Sequence, residues 1–271
     1  MSQALLLLII FLIAVFMTMA GRGGGNFYVL AQVFAGLSMH LAAATGQLIM
    51  CATSLAALLV FQKHKNVAWR MAAFIALTTS TMAFAGGFLA HAFEGTVLKL
   101  VFATMLVLAS LFMLYPVKER KERPADAPRT RSGHWSFGWG DKRFDVNLWV
   151  AIPVSLATGL VSGMVGVSGG SFLIPLMVLA CGMPMKLAVG TASVMVSATA
   201  GMGFLGHMID GGLDWRFALP QAAVAVVGGL IGGKLALKTK PKVLKLVFAL
   251  TTLVAALFMY AKVFLPTFSQ G

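Results

Sequence analysis

Acidic residues are scarce in this chain: 8 Asp and Glu stand against 21 Lys and Arg in 271 residues. Five of the eight fall within 117–146, and the others, Glu94, Asp210 and Asp214, lie in HAFEG and HMIDGGLDWR. No carboxylate sits inside an apolar run, so the usual intramembrane relay for protons or sodium lacks its members and cation transport is disfavoured. Proton coupling would have to use His40, His91 or His207, each of which otherwise reads as an interfacial residue near a loop, or the substrate's own ionisation. There are 2 cysteines. Cys51 and Cys181 lie within apolar stretches and read as small buried hydrophobes without disulfide or metal. Intramembrane hydrolases and lipid transferases need a nucleophile with its base, or metal ligands. The apolar runs offer neither paired acids nor a Cys beside a His, so neither an enzyme nor a cofactor is expected.

Charged residues make up only 11% of the chain, against 59% hydrophobic, and the mean hydropathy is +0.89. Such a chain cannot be a soluble domain; it is an all-α polytopic membrane protein. Apolar runs of near-spanning length lie at about 4–20, 41–61, 71–92, 97–116, 147–165, 187–206, 217–237 and 243–265. Two shorter ones, 27–37 and 172–182, follow glycine clusters. The first run lacks the basic n-region of a secretory signal and is read as a retained helix.

The heptapeptide VLKLVFA occurs twice, from Val97 and from Val243, at an offset of 146. At the same offset Gly86, Gly87, Trp69, Arg70 and Thr45 fall on Gly232, Gly233, Trp215, Arg216 and Thr191. One inserted residue near position 181 changes the offset to 145 and lays GRGGGNF, from Gly21, over GVSGGSF, from Gly166. The chain is therefore two copies of one unit: a first transmembrane repeat at 1–116, a linker at 117–146, and a second repeat at 147–271. Lys99 and Lys245, within the heptapeptides, read as snorkelling lysines near helix ends.

Eight of the Lys and Arg lie in the linker, three in QKHKNVAWR at 62–70 and five in KLALKTKPKVLK at 234–245. The positive-inside rule makes these regions cytoplasmic and the acidic loops external. The basic loop of copy one aligns with the acidic loop 208–216 of copy two, so the copies have opposite sidedness. The expected architecture is thus two inverted-topology repeats of about five hydrophobic elements each, with interrupted or re-entrant helices at the glycine clusters. Secondary transporters are built this way, with a site near the midplane. The linker, with Pro124 and Pro128, is expected to be flexible as far as Gly133, and WSFGWGDKRF at 135–144 suits the membrane interface by its aromatics.

Glycine lets backbone turn sharply and approach a ligand. A helix starting and N-capped at Asn26 or Ser171 would aim free amides and a positive dipole end at the turn before it. Gly24, Gly25 and Asn26 in copy one, and Ser168, Gly169, Gly170 and Ser171 in copy two, are therefore candidate anion ligands. Close helix packing, the role read for GGLIGG at 228–233, is the alternative. Thr45 and Gln47, aligned with Thr191 and Ser193, are a second polar set that can hold an oxyanion without an intramembrane charge. Bonding of such hydroxyls to their own helix is the alternative there. Arg22 is either an anion ligand or a cytoplasmic anchor.

The run GMVGVSGGSFLIPLMVLACGMPMKLAVGTASV, from Gly163, resembles the sulfite exporter TauE/SafE family in its glycine cluster, its apolar segment with Pro175, its short turn and its stretch Ala188 to Ser193. The resemblance covers both halves and implies an exporter of sulfite, organosulfonates or related small anions. Copy one departs from it: Leu30 stands in place of Pro175, Arg22 adds a charge, and Asn26 and Gln47 replace serines. The expected protein is a multi-pass carrier of the bacterial inner membrane with a cytoplasmic linker. An anion channel or a carrier of small carboxylates is the alternative, and a scaffold subunit is a third class. Its partners are a small anion and, for its net charge of +13, anionic lipid headgroups rather than nucleic acid. A homodimer is left open.

Overall fold

The computed structural model describes residues 3–21, 23–94, 133–139, 142–167, 169–209 and 212–240, with scattered positions in 97–111 and 243–260. The described chain is a helical bundle. Its elements are α1 (Gln3–Met19), α2 (Gly25–Phe34), α3 (Met39–Lys63) and α4 (Trp69–Leu89), the last running into a 3-10 turn at Ala90–Ala92. A hairpin of β1 (His134–Trp139) and β2 (Lys142–Asn147) precedes α5 (Leu148–Val165), α6 (Gly170–Pro175) with a π turn at Leu176–Ala180, α7 (Met185–Met208) and α8 (Trp215–Lys238). Helix starts follow local chemistry: Ser38 accepts the amide of Leu41, Asn147 that of Trp149, and Asp214 those of Arg216 and Phe217.

Among the described residues five helices, α3, α4, α5, α7 and α8, are long and apolar enough to cross a membrane. At 1.5 Å per residue, the 10 residues of α2 extend only about 15 Å, half of a ~30 Å hydrocarbon core. The 6 residues of α6 and the 5 of its π turn reach no further. Each short helix follows a glycine turn, as the broken pattern of the sequence predicts. Of the last apolar run in each half only scattered helical residues are described, where Thr104 Oγ1 lies 3.2 Å from the Tyr260 hydroxyl.

The packing repeats when the halves are exchanged. α1 lies on α8 as α5 lies on α4, α3 on α8 as α7 on α4, and α2 on α3 as α6 on α7, while α3 and α7 meet each other. Small residues allow this close approach. A Cβ on Gly86 would stand 2.1 Å from the Leu160 carbonyl oxygen of α5, and one on Gly232 would stand 2.4 Å from that of Val15 in α1. These are the same contact in the two copies. In GGLIGG, Gly228 and Gly232 face α1 while Gly229 and Gly233 face α3, so α8 uses adjacent glycine rows against two neighbours.

Contact order along the chain gives direction. Gln47 meets Gly203 and Phe61 meets Gly190, so α3 and α7 run antiparallel. Between them Cys51 Sγ donates to the Ser197 carbonyl at 3.5 Å, a residue touching its own counterpart at offset 146. Successive contacts make α1, α3 and α8 mutually parallel (Gly228 with Ala14, Gly232 with Thr18; Gly229 with Thr53, Gly233 with Val60), and likewise α4, α5 and α7. Large side chains such as Leu59, Leu77 and Trp149 are left facing outward, as a surface solvated by lipid requires.

Within the stretch read as interfacial, β1 and β2 pair antiparallel, Phe137 opposite Phe144. Phe144 and Val146 of β2 are buried in the core cluster that also holds Val67, Ala68 and Met71, and Trp135 stands against Phe74 at 5.3 Å. Trp135 and Trp139 pack, partly buried, against the same cluster at the α3–α4 turn. The linker expectation for 117–132 lies outside the described residues.

Candidate anion site at the glycine turns

The first turn is built from left-handed glycines: φ is 78° at Gly21, 66° at Gly23 and 86° at Gly24. A side chain would resist this backbone. α2 then begins at Gly25 with Gly24 as its cap residue, and no side chain caps it. In the second copy α6 begins at Gly170 behind Gly169, again without a side-chain cap. The expected capping by Asn26 and Ser171 is therefore corrected: the cap positions are Gly24 and Gly169, two residues earlier, and in the first copy the left-handed Gly24 turns the chain into α2 without a side-chain cap. The first bonds inside α2 run from Phe27 and Tyr28 to the Gly24 carbonyl, leaving the amides of Gly25 and Asn26 ahead of the helical ladder.

Each turn packs against the long helix of the other half. Gly21 is so close to α7 that a Cβ there would lie 2.8 Å from Val189, and Gly23 is wedged between Val196 of α7 and Met50 of α3. Reciprocally, a Cβ on Gly166, where φ is 76°, would lie 2.4 Å from the Ala43 Cα of α3. Ala43 is the counterpart of Val189 at offset 146. Both interruptions thus come to the α3–α7 contact in the interior of the bundle.

Asn26 occupies the first turn of α2 and is 2% exposed, yet neither its Nδ2 nor its Oδ1 has a hydrogen-bond partner. An unpaired buried amide costs about 1–3 kcal/mol, and such orphans are rare. One turn on, Val29 packs on Gly46, next to Gln47. Gln47 is fully buried; its Nε2 donates to the Ser162 carbonyl of α5 at 2.8 Å, and its Oε1 is left without a partner. Ser162 Oγ in turn donates to the Val167 carbonyl, which ties the second glycine turn to the same network. The assembled donors are an Asn amide and a helix start, a set that suits an anion and supplies no carboxylate.

The remaining candidates divide. Thr45 is buried beside Gly46. Thr191 Oγ1 accepts the amide of Ala68 at 3.0 Å, so it fastens the α3–α4 turn to α7. Ser193 Oγ donates to the Val189 carbonyl at 3.2 Å, four residues back on its own helix. Gly169 and Gly170 are buried at the second helix start. Arg22 and Ser168 lie outside the described residues, as does the side chain of Ser171.

Several buried polar groups carried no motif. Gln32 of α2 donates from Nε2 to Gln221 Oε1 of α8, and the Tyr28 hydroxyl lies 3.0 Å from Thr53 Oγ1. The signal available in sequence was polarity alone: two glutamines inside apolar runs.

Relatives and a family model match the chain. It is 23% identical over 256 residues to the "Probable membrane transporter protein YunE" of Bacillus subtilis (strain 168), covering 91% of this chain and 93% of that one. A "Probable membrane transporter protein" of Xylella fastidiosa (strain 9a5c) is 25% identical, with 88% and 87% covered, and the "Probable membrane transporter protein MJ0441" of Methanocaldococcus jannaschii is 23% identical, with 94% of each covered. No solved structure matches. The family model described as "Sulfite exporter TauE/SafE" matches residues 6–259, so nearly the whole bundle, both glycine turns included, falls within it. This membrane protein, a transporter by its kinship, belongs to the sulfite exporter TauE/SafE family.

Proposed function

We propose that the protein is a secondary transporter of a small anion, namely sulfite, an organosulfonate or a related sulfur oxyanion, working by alternating access. The observation that carries this reading is the orphaned amide of Asn26, buried at an uncapped helix start directly after the glycine turn whose Gly21 and Gly23 pack against α7. An oxyanion there would receive hydrogen bonds from the Asn26 side chain and from the free amides of α2, with the helix dipole supplying positive potential. The opposed directions of α3 and α7 support two inverted repeats, 1–116 and 147–271, that rock about this site. With the basic loops inside, the linker is cytoplasmic, the membrane is the bacterial inner membrane, and anionic headgroups flank the basic ends.

The test is flux in proteoliposomes with sulfite, methanesulfonate, sulfate and small carboxylates. Saturable movement of a sulfur oxyanion, competed by its congeners, is the expected result. Current that rises with voltage without saturating would identify a channel, preference for carboxylates would replace the substrate class, and no movement would end the transporter reading.

A further inference from the structure

We propose that His40, His91 and His207 form a proton-binding site that gates one end of the anion path, and this rests on the transporter reading above. The three rings do not sit separately at the interface: His40 and His91 stack at 5.2 Å with 12° between their planes, and His91 meets His207 edge-on at 5.8 Å. They come from the start of α3, the 3-10 turn after α4 and the end of α7, so the cluster joins the first half to the second.

His207 is 2% exposed, and its Nε2 lies 2.8 Å from the Gly163 carbonyl of α5. A carbonyl only accepts, so Nε2 carries the ring proton and Nδ1 bears a bare lone pair. That Nδ1, like the Nδ1 of His40, is buried without a partner. The observed packing suits neutral rings. A proton added to Nδ1 of His207 creates an N–H with no acceptor and a positive charge against two neighbouring imidazoles, and both effects drive α7 away from α3 and α4 at this end. The proton comes from the adjoining solution and returns to it when the rings repack.

Among the described residues, the surroundings leave the imidazoles to decide. α5 has no charged residue and contributes the Gly163 carbonyl; α3 carries Cys51 at mid-helix and Lys63 at its far end; α4 and α7 carry Arg70 and Lys186 at their far ends. Glu94 follows the 3-10 turn and is exposed. Among the described residues no group of three or more His, Cys, Asp or Glu, this trio included, is placed to hold a metal ion. At offset 146 the counterparts of the cluster are Lys186, Leu237 and Phe61. There the Lys186 ammonium donates to the Leu237 carbonyl at 2.7 Å and Phe61 is buried, so the matching end of the bundle holds no imidazole cluster.

The test uses the full-length protein in proteoliposomes with methanesulfonate or sulfate, both fully ionised at neutral and mildly acidic pH, so that any pH dependence belongs to the protein. Flux through the parent should rise roughly tenfold as pH on the histidine side falls from about 7 to about 4, since burial disfavours the charged rings, and His207→Gln and His40→Gln should flatten that profile while saturable flux persists. His91 is exposed, so His91→Gln provides a folded variant with the same expectation if a buried substitution compromises folding. A flat parental profile, or variants that keep the parental one, overturns the proton site and leaves the transporter reading intact. Absence of saturable flux for any oxyanion overturns both.

Discussion

At Asn26 the proposed anion site and the stability of the fold make opposite demands. Its amide is buried with nothing to bond, a cost of about 1–3 kcal/mol to the empty protein. Asn26→Leu should therefore raise the thermal midpoint of the purified protein. The same substitution should weaken anion binding at least about tenfold, because one charge-assisted hydrogen bond contributes roughly 1.5–3 kcal/mol. Loss of both, measured by thermal unfolding and by equilibrium binding, would mean that the amide serves the fold. Ser193→Ala should behave differently: the hydroxyl already bonds the Val189 carbonyl, so affinity should stay within a few-fold of the parent. A tenfold loss would return Ser193 to the ligand set.

At the scale of helices, the glycine rows set distances that no other residue permits. Gly86→Val and Gly232→Val each place branched side chains within reach of a carbonyl, that of Leu160 in one case and of Val15 in the other. Each should destabilise by roughly 1–3 kcal/mol or prevent folding, and the two costs should be similar because the contacts are copies. Comparing unfolding midpoints in one detergent checks this; a tolerated Gly232→Val beside a lethal Gly86→Val would break the equivalence. The helices were legible in sequence because length and apolarity set them: the runs at 41–61 and 187–206 become α3 and α7 with two residues added at each end. The hairpin at 134–147 was not, because alternating aromatics suit an interface and a strand equally. The turn positions were visible from glycine, whereas their cap residues depended on φ at Gly24, which sequence does not state.

For the molecule as a whole, orientation is the quantity that sequence predicts most directly. Single cysteines replacing Lys65 and Lys240 should react with an impermeant thiol reagent from the cytoplasmic side, and one replacing Asp210 from the opposite side. Reaction of Lys65→Cys and Asp210→Cys from the same side would exclude opposed halves. The repeat was readable from VLKLVFA, but the candidate site proposed between the copies was readable only in outline. Which polar residues are satisfied by the protein, as Thr191 is by Ala68, and which are left over, as Asn26 is, depends on contacts between residues far apart in the chain.

Cys51 touching Ser197, its own counterpart, has a consequence for how such a chain can be assembled. A position that meets its equivalent marks the axis relating the copies, and at that axis an undivided half would meet itself. The covalent linker is then a tether rather than a structural necessity, since the helix contacts that hold the bundle run between halves: α1 with α8, α4 with α5, α4 with α7 and α3 with α8. Residues 1–132 and 133–271, co-expressed as separate polypeptides, should copurify as one complex through a tag on either, whereas each alone should be unstable because its long helices pack mainly on those of its partner.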